Sequence, residues 1–224
     1  MARTVTHTED HEAMFGKTPL RDAAASRSFV SLAFEVLAER KPSDAECKIF
    51  ELILNLTIDH GPDTPSVKAT LARAEAGDLM GAAVGAGITE INGSHGGAQD
   101  ALMEILLKIH SGETTPEAVV AEYKAQGKRI PGYGHRIYTV DPRAIQIFDA
   151  LRTHSMGENY RASVEAMQQE IKLQLGKDLP INVDGAIAVA LLLFGWPPSL
   201  GSAIFIIART VGLCGHYSNN QKKI

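Results

Sequence analysis

The sequence predicts an all-α protein. Apolar residues recur at helical spacing in almost every segment between loops, and no segment keeps the alternation of a half-buried strand. Gly and Pro crowd into short loops, which cut the chain into helices of ordinary length. Of 224 residues, 45% are hydrophobic and 21% are charged. That is enough apolar material for a real core and rules out a disordered chain. The length admits one domain, or one domain with a small lobe.

The first expected helix carries Phe29, Leu32, Ala33, Val36 and Leu37 on one stripe and stops before Lys41-Pro42, because proline cannot continue it. Ser43 or Asp44 suits the cap of the next, with Glu46 in the first turn and Ile49, Leu52, Ile53 and Leu56 on its buried face. The same periodicity predicts helices near 65–76, 78–90, 97–111, 115–126, 142–153, 159–175, 184–194 and 198–214. Between 66 and 92, Ala82, Ala83, Gly85, Ala86 and Gly87 permit close helix approach.

Composition excludes several function classes. Lys plus Arg is 22 against 26 for Asp plus Glu, a net charge of −4, so no basic surface draws nucleic acid. Two cysteines, Cys47 and Cys214, with no CxxC between them, suggest neither a disulfide framework nor structural zinc, and a reducing, cytoplasmic setting fits. The N-terminal MARTVTHTEDHEAMFGK lacks the apolar run of a signal peptide and reads as frayed. The apolar stretch Ala186–Phe194 is about half of the roughly 20 residues a membrane span needs, so no membrane contact is expected. Only His7 and His11 stand at i, i+4, in that frayed terminus, and no metal site is expected.

Chemistry collects in four loops: Asp59-His60-Gly61-Pro62, Asn92-Gly93-Ser94-His95-Gly96-Gly97, Pro131-Gly132-Tyr133-Gly134-His135, and Pro180-Ile181-Asn182-Val183-Asp184-Gly185. A titratable side chain on a glycine-rich loop between rigid helices is a candidate site residue. His95 precedes a helix whose inward face is Leu102, Ile105, Leu106 and Ile109; the positive helix end favours a neutral imidazole that donates to an enolate oxygen. Asp184 reads either as the N-cap of its helix or as a carboxylate base beside an apolar wall. Asp141 caps the helix that Pro142 opens, and Arg143 lies in its first turn, as an exposed arginine or as a bidentate partner for a carboxylate.

Together GSHGGAQD (93–100), PGYGHRIYTVDPRA (131–144) and INVDGAIAVALL (181–192), with DHGP (59–62) and ARTVGLCGHY (208–217), resemble the citrate synthase superfamily from about Phe29 onward. In DHG followed by proline, HGGA and NVDGAIA the chain is similar to the short citryl-CoA lyase branch. Typical synthases more often have an aromatic residue after NVD and a GPLHGGAN-like turn, and their form of the GHRIYTVDPR stretch is one residue longer.

The resemblance implies an all-α citrate synthase-like fold, with a larger helical lobe (1–97 and 180–224), a smaller inserted lobe (98–179), and a cleft that closes to exclude water. It implies a catalytic trio of His95, His135 and Asp184. Asp184 would exchange a proton with the acetyl-CoA methyl, His95 would hold the thioester oxygen, and His135 would polarise the oxaloacetate carbonyl. It places His60, Arg143 and Arg209 on substrate carboxylates. Arg209, flanked by Phe205, Ile206 and Ile207 on an apolar helix, needs a partner for its charge. Coenzyme A, as acyl-CoA substrate, would meet Gly132, Tyr133, Gly134 and Arg136, with Lys128 or Arg129 near its phosphates. No metal is implied, and a homodimer or higher homo-oligomer is, with 66–92 a candidate interface. His216 and Tyr217 match the family's C-terminal sequence, and a packing role is expected of them. The implied activity is citryl-CoA cleavage to oxaloacetate and acetyl-CoA, with citrate or 2-methylcitrate synthase as the alternative. A degenerate CoA-binding subunit is the alternative of another class, against which the intact trio counts. Many synthases use a further arginine from a tail beyond the last helix, whereas this sequence ends at Ile224, so efficient synthase activity is not expected.

Overall fold

A computed structural model of the chain describes residues 5–92, 95–135, 138–156 and 158–222, the side chain of Glu158 excepted. Among these residues are eleven α-helices and one small antiparallel sheet. The chain divides into two compact units, Met1–Leu52 and Ile53–Ile224.

The first unit departs from expectation at its N-terminus. In place of a frayed segment, β1 (Val5–His7), β2 (Ala13–Phe15) and β3 (Thr18–Pro19) form a sheet in that order, with Thr6 opposite Met14 and Phe15 opposite Thr18. His7 is therefore on a strand and His11 has φ 62°, so the two do not share a helical face. α1 (Leu20–Ser26), which the periodicity did not reveal, precedes α2 (Phe29–Ala38). Ser28 caps α2 by accepting the Ser31 amide. Its most buried residues are Phe34 and Glu35 rather than the expected stripe, and Phe29 is 73% exposed. Glu35 is tolerated inside because the Arg27 guanidinium donates to it at 2.7 Å. α3 (Asp44–Thr57) opens with the expected cap in its full reciprocal form: Ser43 Oγ accepts the Glu46 amide and Glu46 accepts the Ser43 amide.

The second unit carries the chemistry. Its helices are α4 (Pro65–Glu75), α5 (Met80–Thr89), α6 (Ala98–His110), α7 (Pro116–Ala125), α8 (Pro142–Thr153), α9 (Glu158–Leu175), α10 (Val183–Leu193) and α11 (Ala203–Gln221). Proline stands in the first turn of α4, α7 and α8, where its missing N–H costs nothing. α4, α5 and α11 pack on one another; α10 packs on α6 and α8, and α9 on α6 and α7. α10 is buried from Gly185 to Leu192, which matches a helix that is apolar all round. The segment expected at 198–214 is a 3₁₀ turn, Pro198–Leu200, followed by the longer α11. Pro198–Gln221 is long and apolar enough to cross a membrane by length and composition, which revises the estimate based on Ala186–Phe194. Its packing on α4 and α5, and the burial of Arg209 within it, are those of a core helix.

One contact fixes the centre of the site. The 132–134 loop pairs with the segment leading into α10: Gly134 N–H donates to Pro180 O at 2.8 Å and Asn182 N–H to Gly132 O at 2.9 Å. Gly132 has φ +78°, and a Cβ there would strike the Leu102 side chain and approach Gly185 Cα at 3.0 Å. Both the left-handed backbone and the close approach require glycine. Gly132→Ala is expected to destabilise the protein by roughly 2–4 kcal/mol, the sum of a left-handed alanine and an overpacked contact. Chemical denaturation measures it, and a loss under about 1 kcal/mol would contradict the contact.

Candidate active site

Asp141 anchors one side of the site. It caps α8, and its carboxylate is 2% exposed as part of a buried residue. Oδ1 accepts from Arg143 N at 3.1 Å and Arg143 Nε at 3.0 Å; Oδ2 accepts from Arg143 Nη2 at 2.9 Å and from the Val183 amide at 3.0 Å. Burial pushes the Asp141 carboxyl up, but these donors outweigh it and hold the group below the usual carboxylate range. The bidentate face anticipated for Arg143 is thus committed within the protein to Asp141.

His135 lies against that guanidinium. The Tyr138 amide donates to His135 Nδ1 at 3.2 Å; with that contact kept, a neutral ring carries its proton on Nε2. Arg143 Nη2 stands 3.3 Å from Nε2. The guanidinium and the imidazole therefore lie within hydrogen-bond distance of each other. Tyr138 stacks on the His135 ring, with centroids 4.8 Å apart, and the His60 ring meets it edge-on at 6.1 Å.

Asp184 is not the cap of α10. Asn182 is, its Oδ1 accepting the Gly185 amide at 3.2 Å while its Nδ2 donates to Gly134 O at 2.8 Å. That sets aside the capping reading of Asp184, whose carboxylate lies in the first turn and receives no hydrogen bond from the described residues. Burial raises its pKa to about 6, with Asp141 adding to the rise and Arg143 and Arg209 opposing it. Such a group takes up and releases a proton near neutral pH.

His95 sits two residues before Gly97, the N-cap of α6. Its main chain exchanges two hydrogen bonds with Asn92, at 2.9 and 2.8 Å. Its Nε2 lies 3.0 Å from Oγ of Ser66, a fully buried residue on α4. With the Ser66 hydroxyl donating, the ring proton is on Nδ1. Burial first, and the Arg209 charge second, lower the His95 pKa, which favours the neutral ring. His60 is lowered by burial and then by Arg143, Arg209, His135 and His95. These mutual effects bring all six expected residues into one electrostatic cluster.

Arg209, 2% exposed, donates from Nε to Thr57 O at 3.2 Å and lies over the Phe205 ring at 5.7 Å. Its Nη1 is buried without a partner among the described residues. A buried guanidinium with one edge anchored and a nitrogen unmet is poised for an anion. Arg143 and Arg209 together suit a ligand with at least two carboxylates.

The loop residues expected at coenzyme A are placed differently from one another. The Tyr133 side chain is buried and its hydroxyl donates to Val164 O at 3.1 Å. Gly132 O and both Gly134 main-chain groups are engaged by the 180–182 segment. Arg136 lies outside the described residues, and Lys128 and Arg129 are exposed. A cavity of about 880 Å³ between α8, α9 and residues 178–181 touches Ala144 and Ile181 but none of the trio. Among the described residues no group of three or more His, Cys, Asp or Glu could hold a metal ion. Sequence reasoning missed Ser66, and it gave Asp141 only a capping role. Ser66 follows the proline that opens α4, but its partner is 29 residues away; Asp141, two residues from Arg143, was the more legible.

The family described as "Citrate synthase, C-terminal domain" matches residues 2–224. The chain is 30% identical over 217 residues to a citrate/2-methylcitrate synthase of Bacillus subtilis (strain 168), covering 91% of this chain and 55% of that protein. It is 32% identical over 213 residues to a citrate synthase of Heyndrickxia coagulans, again covering 91% and 55%. It spans about half the length of these curated relatives. Its structure resembles that of a citryl-CoA lyase from Hydrogenobacter thermophilus, with a TM-score of 0.89 and 32% identity over 98% of this chain and 86% of that one. An ATP citrate lyase from Methanosaeta concilii, solved with (3S)-citryl-CoA, shares the fold at a TM-score of 0.86 and 18% identity, over 100% of this chain and 39% of that one. With the family match running from residue 2 to residue 224 and every site residue inside it, the chain belongs to the citrate synthase family.

Proposed function

We propose that this chain is a citryl-CoA lyase-type enzyme, interconverting citryl-CoA with oxaloacetate and acetyl-CoA through a thioester enolate. The observation that carries the chemistry is Asp184, an uncommitted carboxylate with a pKa of about 6 in a site with two anchored arginines. The likeness to a solved citryl-CoA lyase at a TM-score of 0.89 supports the lyase direction. Citrate or 2-methylcitrate synthase is the second reading, favoured by the curated relatives at 30% and 32% identity. A homodimer through the outward face of α5, where Gly81 and Gly85 meet open space, is part of the proposal.

In the condensing direction Asp184 removes a proton from the acetyl methyl group and the thioester becomes an enolate. His95 Nδ1–H donates to the enolate oxygen. The enolate carbon forms the new bond to the oxaloacetate carbonyl carbon, and that carbonyl becomes an alkoxide between His135 Nε2–H and Arg143. The alkoxide takes the His135 Nε2 proton, His135 is reprotonated from solvent, and Asp184 releases the methyl proton to solvent, so the overall condensation is proton-neutral. Cleavage reverses each step: the C–C pair returns to the enolate and protonated Asp184 supplies the methyl proton. Both oxygens are met by donors already in place. Arg209, with His60, holds the remaining carboxylates.

Incubation with citryl-CoA is the direct test. Oxaloacetate plus acetyl-CoA supports the lyase reading, citrate plus free CoA the synthase reading, and the absence of both pairs sinks both. Asp184→Ala is expected to lower turnover by roughly 100- to 10,000-fold, with far-UV circular dichroism unchanged; turnover at the parent level refutes the assigned base. Ser66→Ala should lower kcat by roughly tenfold through the loss of the His95 hydrogen bond, at little change in KM.

The Asp184 pKa also predicts a stability effect. A carboxyl raised from 3.8 to about 6 binds its proton more tightly in the folded state. Its contribution to stability is therefore fully present below pH 3.8 and lost as pH rises through about 6. Asp184→Asn should raise stability at pH 8 by at most about 3 kcal/mol, seen as a higher melting temperature, and the gain should vanish near pH 4. An equal effect at both pH values would refute the raised pKa.

A further inference from the structure

We propose that His216 is a positioning residue for the His60 substrate arm, acting through the Asp59 carboxylate. This deepens the preceding functional reading and rests on it for the role of His60. α11 grips residues 57–61 with one stripe, Arg209, Gly212 and His216, spaced i, i+3, i+7 and so on a common face. Arg209 Nε holds Thr57 O at 3.2 Å. At Gly212 a Cβ would strike Ile58 O and approach Asp59 Cβ at 3.2 Å, so the missing side chain lets the turn lie against the helix. His216 Nε2 meets Asp59 Oδ1 at 3.1 Å.

The first two contacts hold main chain, and the third acts on the carboxylate that closes the turn. Asp59 Oδ2 accepts the Gly61 amide at 3.2 Å, and the His60 amide also donates to this carboxylate. His60 is therefore enclosed between groups that Asp59 holds, while its ring faces His135 at 6.1 Å. An ionised carboxylate accepts only, so His216 Nε2 carries the proton and donates. The pair sits on the rim, with side chains 21% and 40% exposed, where such a contact adds little to global stability. Tyr217 independently anchors the same turn of α11, its hydroxyl donating to Asp78 O at 3.0 Å. Loss of His216 should therefore loosen the His60 turn without releasing the helix.

The test compares His216→Leu with His216→Gln, whose amide can still donate to Asp59. In the condensing direction His216→Leu is expected to raise the oxaloacetate KM by roughly tenfold while the acetyl-CoA KM stays within about twofold, and His216→Gln should restore most of the loss. Without substrate, the His60 imidazole resonances should shift in His216→Leu and return in His216→Gln. A lower melting temperature with both KM values and the His60 resonances unchanged would mean a purely structural role and overturn the proposal. If His216→Leu does not fold, His216→Ala removes the same donor to Asp59 and is held to the same readouts. The His60 spectrum needs no turnover: unmoved resonances overturn the positioning role, whereas a parent protein inactive on citryl-CoA and on acetyl-CoA with oxaloacetate overturns the functional reading instead.

Discussion

Asp141 carries a negative charge into a place with 2% exposure, and it remains there only because four donors meet it: the Arg143 amide, two Arg143 side-chain nitrogens, and the Val183 amide. An unpaired carboxylate so placed would cost several kcal/mol. This single group joins the start of α8 to the start of α10. It fixes the guanidinium beside His135, and it fixes the helix turn that carries Asp184. It also enters the electrostatics of the base, because its charge raises the Asp184 pKa while Arg143 and Arg209 lower it. With those arginines uncompensated, Asp184 would be a weaker base. Asp141 thus lets the proposed site keep its cations beside a carboxylate of raised pKa.

The two arginines show the same economy. Each is anchored by part of its guanidinium, Arg143 to Asp141 and Arg209 to Thr57 O, and each keeps donor capacity for an anion. Anchoring removes rotamer entropy before the ligand arrives, so less is lost on binding. A net charge of −4 is compatible with an anionic substrate for this reason: a few placed donors in a partly desolvated pocket outweigh the distant surface.

The helices were legible because apolar spacing and proline at the first turn report local physics. The small sheet was not, since strands of two or three residues leave no alternation to read. Glu35 escaped the stripe rule because a paired charge can be buried, and its partner Arg27 lies on the preceding turn. Asn182 and Asp184 are both good caps by type, and the sequence could not choose between them. The choice is made by the loop at Gly132 and Gly134, which pairs with residues 180–182 and takes the Asn182 amide across 48 positions. His95, Asp184 and Arg143 stood out from their loops and the resemblance completed the six expected residues, but their partners were not legible. Ser66 and Asp141 act through contacts that only folding creates, which is why motif spacing names the chemistry before it names its supports.

The pKa of Asp184, about 6, bears on direction. Near neutral pH both its forms are within reach, so in the proposed reaction one carboxyl serves both to remove a proton from a methyl group and to return it to an enolate. In that proposal the donors from His95 and His135 likewise serve either direction, since the charged oxygens are the same in both. Nothing in the trio therefore distinguishes a lyase from the condensing half of a synthase. The distinction lies in the fate of the thioester: a synthase must bring water to citryl-CoA, and a lyase must keep water away while the C–C bond breaks. The groups that surround the thioester, rather than those that move its proton, are where the two activities part.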